Sequence, residues 1–315
     1  VPRILFVKTS SLGDVVHHCP AVADAARALP GAALDWVVEE AYAPLVALHR
    51  DVRRAIPVAL RRWRARLLAP ATRRELGHFC ARLRAEHYDA VIDTQGLIKS
   101  ALLARLARGW RHGPDAASAR ERLATLFYEV RHPVPRERHA VERNRLLAAR
   151  ALGYSVPEEC DYALVAPRAG AARDCAVLLA MASRPEKLWP VGHWREVARA
   201  LAAQGLRVVL PWGEAAERRR GLEIAEGIAG ADVPDRMDLP DLAALLAQAR
   251  IVIGLDTGLS HLAAALGAPT VGVYGASDPG RTGLHGAARV RNCGAPGRFP
   301  EPAEVLSAAA ALGRR

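Results

Sequence analysis

Residues 251–279 read I-V-I-G-L-D-T-G-L-S-H-L-A-A-A-L-G-A-P-T-V-G-V-Y-G-A-S-D-P, and the chain around them repeats their pattern. Ile251 to Leu255 is a short apolar run of the kind a buried parallel strand presents. Asp256-Thr257-Gly258 breaks that run, and Leu259 to Leu266 is rich in Ala and Leu at helical spacing. Gly267 and Pro269 end the helix, and Thr270 to Tyr274 supplies the next strand. This is a complete strand-turn-helix-turn-strand unit. It delivers Asp256 and Thr257 to the carboxyl edge of a sheet, where the amides of Gly258 to His261 at the helix start face any bound anion. The expectation is a phosphate site built without a P-loop.

Other readings of this region fit less well. G-x-G-x-x-G, the dinucleotide fingerprint, occurs nowhere in the chain. Gly275 to Thr282 has the spacing of a Walker loop, but Arg281 stands where lysine belongs, Pro279 removes an amide and Asp278 adds a like charge. Ser260-His261 suggests a hydrolase, yet adjacent helical side chains do not face each other and the G-x-S-x-G elbow is missing. The plainest reading is that Asp256 and Thr257 cap the helix.

With 315 residues, 51% of them hydrophobic, the chain can bury two cores of ordinary size. Its net charge of +11 attracts polyanions such as nucleic acid, anionic membrane, acidic saccharides or phosphates. At 5% aromatic residues and without a basic low-complexity tail, nucleic acid is the weaker choice and is not expected as a partner. The five cysteines are scattered without C-x-x-C, as expected of reduced thiols in a cytosolic protein. His17-His18-Cys19 lacks a second ligand cluster, and adjacent side chains diverge, so no metal is expected. No apolar run approaches the ~20 residues of a spanning helix. The first strand begins almost at residue 1 with no signal peptide before it, so the expected protein is soluble, with any membrane contact peripheral.

Along the chain, Ile4 to Val7 reads as a strand, followed by Lys8-Thr-Ser-Ser-Leu-Gly-Asp14 and a helix to about Leu29. Leu34 to Val38, Ala55 to Val58 and Tyr88 to Asp93 read as further strands. The last of these runs into Thr94-Gln95-Gly96 and a helix from Leu97 to about Ala107. Arg61-Arg62-Trp63-Arg64 lies between them and reads as either a solvated face or an anion-binding loop. Residues 115–151 are charged and read as helical. Gly153 to Arg173, with Pro157, Pro167 and Gly170, is the best linker. Beyond it Cys175 to Ala182 and Arg207 to Leu210 read as strands. His193 to Ala203, Glu214 to Ala229, Pro240 to Ala249 and Glu301 to Leu312 read as helices. The fold class is therefore α/β, in two domains: residues 1–155, residues 174–300, and a terminal helix at 301–315. Substrates are expected in the cleft between the domains.

Taken together, Lys8-T-S-S-L-G-Asp14, Asp93-T-Q-Gly96, Lys187-L-W-Pro190, Pro211-W-Gly213 and Asp256-T-G-L-S-His261 resemble the lipopolysaccharide heptosyltransferases. The likeness runs through nearly the whole chain, including Trp36-V-V-E-Glu40, Ala119-R-E-Arg122 and Leu126-F-Tyr128. The K-T-S-S-x-G-D opening with R-R-W-R is similar to the first transferase of that pathway, whereas the second typically opens P-S-W-V-G-D. The resemblance implies the GT-B fold, two Rossmann-like domains with parallel sheets facing across a cleft. It also implies inverting transfer of heptose from ADP-L-glycero-D-manno-heptose to the inner Kdo of Kdo–lipid A. The expected protein works without a cofactor, in the cytoplasm, peripherally on the anionic face of the inner membrane. A sister transferase acting on a later core acceptor, or a non-catalytic nucleotide-sugar-binding protein, remains an alternative.

The residues support such a reaction independently. Glycosyl transfer needs a base for the acceptor hydroxyl and a carrier for the charge on the leaving diphosphate. Asp14 suits the first task, although it could also be an N-cap. Lys187, with the helix start at Thr257 to His261, suits the second, and no D-x-D metal motif appears where one would be expected. The resemblance further implies donor contacts at Ser183, Glu217 (ribose), Met237 (adenine), Asp256, Thr257, Gly258 and His261. It implies acceptor contacts at Lys8, Ser10, Ser11, Gly13, Arg61, Arg62, Arg64, Gln95, Lys99 and Arg120. One departure is Ala182-Ser183-Arg184, where relatives often carry Thr-Thr before the arginine. Ala182 can then offer only backbone.

Overall fold

The structure of the protein, a computed structural model, describes residues 1–66, 68–166 and 173–313. The chain divides into two compact units, Val1–Ala163 and Leu164–Arg315. The boundary lies inside the segment read as a linker, of which residues 167–172 are outside the described residues.

In the first unit, strands β1 (Arg3–Val7), β2 (Ala33–Glu39), β3 (Arg54–Val58), β4 (His87–Asp93), β5 (Arg108–Pro114) and β6 (Val130–His132) form one sheet in the order β3-β2-β1-β4-β5-β6. Every pairing is parallel. The second unit has β7 (Arg173–Leu179), β8 (Arg207–Val209), β9 (Ala231–Asp232), β10 (Ala249–Leu255), β11 (Thr270–Val273) and β12 (Val290–Cys293), in the order β12-β11-β10-β7-β8-β9, again all parallel. Both sheets have the doubly wound order in which the winding reverses beside the first strand. The switch points fall between β1 and β4 and between β7 and β10. The turns leaving those four strands carry Lys8 to Asp14, Thr94 to Gly96, Met181 to Lys187, and Asp256-Thr257. Two doubly wound parallel sheets are what the GT-B type requires.

Central strands are apolar on both faces because helices cover both. Leu5, Phe6 and Val7 are fully buried in β1, as are Val252, Ile253 and Leu255 in β10. The core of the second unit includes Trp189 and Trp194, edge to face at 5.1 Å, and receives Val305, Ala309 and Leu312 from the terminal helix Pro302–Gly313. Gly254 is a glycine because of what packs on it. A Cβ there would stand 2.2 Å from Ser260 Oγ and 2.9 Å from Leu179 Cβ. Ser260 Oγ donates to the Leu255 carbonyl at 2.6 Å and is not free to swing away. Gly254→Ala is therefore expected to destabilise the protein by about 1–3 kcal/mol or more. The check is the denaturant midpoint, and an unchanged midpoint would mean that this turn is loosely packed.

Several readings need correction. Residues 115–151 are not one helical stretch: helix Ala140–Leu152 is preceded by β6 and a short 3₁₀ turn at Arg122–Phe127. Pro133 and Pro135 prevent a continuous helix. Strands β5, β6, β9 and β12 went unread because their sequences show no apolar run; in R-G-W-R-H-G-P, Trp110 is 63% exposed. Gly113 is required there because a Cβ would stand 2.3 Å from the Tyr128 ring. The strand expected at Cys175 to Ala182 is Arg173–Leu179, and the helix expected to run to Ala229 stops at Ala225. The opening helix is two helices, Leu12–Val16 and Cys19–Ala28. Arg61 to Arg64 lie on a helix, Leu60–Ala65, and not in a loop.

Candidate active site

The first unit builds a charged cluster at its switch point. Asp93, the last residue of β4, is fully buried and accepts from the amides of Gln95 (2.8 Å) and Gly96 (3.2 Å), from Ser100 Oγ (2.7 Å) and from the Tyr128 hydroxyl (2.6 Å). Burial pushes its carboxyl up even against these donors. The turn thus fixed aims Gln95 Oε1 at Thr9, accepting from its amide at 2.7 Å and its hydroxyl at 2.9 Å. The β1 turn is thus held by a side chain from the turn that follows its neighbouring strand.

Beside this clamp, Lys8 Nζ donates to the Thr94 carbonyl at 3.0 Å and to Asn144 Oδ1 at 3.2 Å. Asp14 is the third residue of helix Leu12–Val16, so it is not the N-cap. It reaches back to Ser11, accepting from the amide at 3.0 Å and the hydroxyl at 3.3 Å. Its other oxygen accepts from Arg120 at 2.8 Å. Burial raises the Asp14 carboxyl, but Lys8 and Arg120 outweigh it and hold it below its ordinary value. Burial brings the Lys8 ammonium down to about 8, against the favourable Asp14 charge. A small pocket of about 40 Å³ is lined by Lys8, Asp14, Gln95 and Arg120 together. An ionised carboxylate between two cations can take a proton while its neighbours hold an anion.

Of the remaining first-unit residues, Ser10, Arg61, Arg64 and Lys99 line one groove of about 810 Å³, and Lys99 Nζ donates to Ser10 Oγ at 3.3 Å. Gly13 and Ser11 belong to the helix start that carries Asp14. Arg61 lies over the Tyr42 ring, 5.8 Å from its centroid, while Arg64 is exposed. Arg62 is not brought to this group. Its guanidinium is forked onto Glu40 (3.1 and 3.0 Å) and Glu75 (3.0 and 2.8 Å). Arg145, in the charged stretch 115–151, is buried on Asp24 at 2.6 Å and serves the core.

In the second unit Asp256 is the hub. Lys187 Nζ donates to its Oδ2 at 2.6 Å and to its carbonyl at 3.0 Å, Ser277 Oγ donates to Oδ2 at 2.5 Å, and His261 Nε2 lies 3.4 Å from Oδ1. Burial raises this carboxyl, but the hydrogen bonds from His261, Lys187 and Ser277 outweigh it and hold it well below the carboxylate range. Asp256 therefore meets an ammonium, a hydroxyl and an imidazole of its own chain, and its charge would repel a diphosphate. It positions Lys187, whose ammonium has three donors and keeps one N–H for a ligand. Thr257, not Asp256, is the N-cap of helix Gly258–Ala265. Glu217 closes the start of helix Ala215–Ala225, its Oε2 accepting from the amides of Gly213 (2.7 Å) and Glu214 (3.1 Å). Ser183 is exposed and Met237 half-buried.

Other candidate sites find structural explanations. Ser260 is buried and bonded to a backbone carbonyl, as a hydrolytic nucleophile is not. Asp278 caps helix Pro279–Thr282 through the Gly280 amide at 2.8 Å, so the Walker-like spacing is a helix start. His18 packs edge-on against Trp36 and Phe6, and burial depresses its imidazole. Among the described residues no group of three or more His, Cys, Asp or Glu could hold a metal ion, and no helix is long and apolar enough to cross a membrane.

Sequence reasoning missed Thr9, Asn144 and Ser277 and assigned Asp93 no role. Asn144 was within reach: it is a lone amide on the buried face of helix Ala140–Leu152, where a polar residue needs a partner.

The model for glycosyltransferase family 9 (heptosyltransferase) matches residues 76–303. The chain is 48% identical over 290 residues to lipopolysaccharide heptosyltransferase 1 of Escherichia coli (strain K12), covering 90% of this chain and 91% of that relative. Among solved structures it is similar to E. coli heptosyltransferase WaaC with ADP, with a TM-score of 0.89, 46% identity and coverage of 98% and 97% of the two chains. It is also similar to the same enzyme with ADP-2-deoxy-2-fluoro heptose, with a TM-score of 0.86, 44% identity and 98% coverage of each chain.

Proposed function

The chain belongs to glycosyltransferase family 9, the heptosyltransferases, and on that basis we propose that it transfers L-glycero-D-manno-heptose from ADP-heptose to the inner Kdo of Kdo–lipid A, with inversion. The observation that carries this reading is the ionised Asp14 between Lys8 and Arg120. A binding protein for an anionic ligand gains nothing from a carboxylate at that position, whereas a transferase needs one as base. In the proposed step Asp14 takes the proton of the acceptor hydroxyl and the hydroxyl oxygen bonds to the anomeric carbon. The bond from that carbon to the diphosphate oxygen breaks, and ADP leaves with the electron pair. Lys187 and the amides of Gly258 and Leu259 face the charge on the departing phosphates, the Ser260 and His261 amides being bonded to the Thr257 carbonyl. Glu217 keeps Oε1 for the ribose hydroxyls, and Met237 offers apolar surface to the adenine. The enzyme is proposed to work in the cytoplasm, peripherally on the anionic inner-membrane surface, to which a net charge of +11 is attracted.

Mass spectrometry of Kdo–lipid A incubated with the purified protein and ADP-heptose tests the proposal. The expected product carries one added heptose; an unmodified acceptor would refute the reading.

Two further results are expected. Arg61→Ala and Arg64→Ala should each raise the acceptor KM about tenfold and leave the donor KM unchanged, since each removes a charged contact to an anionic acceptor. Arg62→Ala should move it less, because Arg62 is held by Glu40 and Glu75. Equal effects of all three on both substrates in steady-state assays would contradict this division. The second concerns pH. Lys8 loses its proton as pH passes about 8, so the cluster loses a positive charge and the acceptor KM should rise through that range. Because its folded value is depressed, the protein binds fewer protons than the unfolded chain between about 8 and the ordinary lysine value, and stability should rise with pH there. An acceptor KM flat across this range would remove Lys8 from acceptor binding.

A further inference from the structure

The loop that leads to Asp14 borders an apolar track that the chemistry above does not use. The groove of about 810 Å³ that takes Ser10, Arg61, Arg64 and Lys99 as its polar lining is otherwise walled by Leu60, Trp63 and Leu76, with Glu39 as its one acid. Glu39 accepts from the Arg61 amide at 3.2 Å. A second groove, of about 670 Å³, shares Leu60 and Lys99 with the first and adds Leu102, Leu103 and Leu106, edged by Arg84, Arg105 and Arg111. Leu76 and Leu102 remain 39% and 47% exposed. Among the described residues Arg64, Arg84 and Arg105 have no acidic partner, whereas Arg111 is paired with Glu129.

We propose that these joined grooves seat the acyl chains of the acceptor, with the unpaired arginines on its phosphates. The proposal rests on the acceptor reading above and assigns the part of that molecule which takes no part in the reaction. Three features favour a bound amphiphile over a peptide or a free sugar. Ser10 ties the first groove to the loop of Asp14, so its occupant is continuous with whatever presents a hydroxyl there. The lining changes from carboxylate and cations at Asp14 and Arg120, through Arg61, Arg64 and Lys99, to leucines. That is the order of groups in a molecule with a sugar head, phosphates and alkyl chains. The cations left without acids complement phosphates, and each methylene removed from water strengthens binding about fourfold.

The test uses Leu76→Glu and Leu102→Glu, both at exposed positions where folding is not at stake, with the exposed second-unit Leu222→Glu as control. The acceptor KM is measured for acylated and O-deacylated Kdo–lipid A, each dispersed in detergent, together with the donor KM and the thermal midpoint. The expected result is a rise of about tenfold or more for the acylated acceptor, from loss of contact with two or more methylenes. The deacylated acceptor, the donor KM and the control should stay within about twofold of the parent protein. Equal changes for both acceptors, or none for either, would overturn the proposal. So would loss of binding to acceptor-free phosphatidylglycerol vesicles with the acylated KM unchanged, which would assign the face to the bilayer. If the parent protein transfers heptose to neither acceptor, the acceptor reading itself fails and the groove assignment falls with it. If it transfers to both and the variants do not discriminate, only the groove assignment fails.

Discussion

Asp14→Asn is expected to lower kcat by about 10²-fold or more, because the amide cannot accept the proton that the proposed base takes from the acceptor hydroxyl. The fold should survive. Asn can still accept from the Ser11 amide, which Asp14 does at 3.0 Å, and the helix it opens spans only Leu12–Val16. What is lost is the charge. Arg120 keeps its place 2.8 Å away but no longer faces a carboxylate, so anion binding by Arg120 and Lys8 should hold or improve. The expected signature is a collapsed kcat with an acceptor KM that does not rise, read from steady-state kinetics beside an unchanged melting profile. A kcat near that of the parent protein would remove Asp14 from the chemistry and leave it as a helix-start residue.

The second large effect is expected at Lys187. Lys187→Ala removes the cation proposed to face the departing diphosphate and should reduce kcat by about 10²–10³-fold, the range seen when one preorganised stabilising donor is deleted. It also strips Asp256 of its cationic partner, at 2.6 Å. Asp256 would then be a buried carboxylate with only Ser277 and His261 beside it, and its depressed proton affinity should return toward the ordinary value. Some loss of stability should accompany the loss of rate, and Lys187→Arg should recover stability more than activity because the guanidinium differs in shape from the ammonium. The same account requires that turnover survive chelation with EDTA. Activity abolished by EDTA and restored by magnesium would show that a metal, not Lys187, carries the leaving-group charge.

How much of this was legible in the sequence depended on burial. Residues 251–279 could be read because β10 and β11 are covered on both faces, and from Ile251 to Leu255 and Val271 to Val273 they carry no charged or polar side chain. Strand β5 could not, since its glycines are set by the Tyr88 backbone and the Tyr128 ring rather than by any local rule, and its Trp110 points to solvent. Charged residues were legible as chemistry but not as pairs. Nothing local distinguishes Arg62, held on Glu40 and Glu75, from Arg61 and Arg64 on the same short helix. The Asp14–Arg120 bond joins residues 106 positions apart and the Lys187–Asp256 bond residues 69 apart. Asp256 shows the cost of this blindness: at the end of a strand before a helix it reads as a ligand or a cap, and the fold uses it to hold Lys187.

In the proposed reaction Asp14 activates the acceptor for a single in-line displacement of ADP, with no covalent sugar–enzyme intermediate. The anomeric configuration of the new glycosidic bond tests this most directly and is read by NMR of the product from a preparative incubation with ADP-heptose and Kdo–lipid A. The predicted product has the configuration opposite to that of the donor's anomeric carbon. Retention of the donor's configuration would contradict the account, because a single in-line displacement inverts the anomeric carbon.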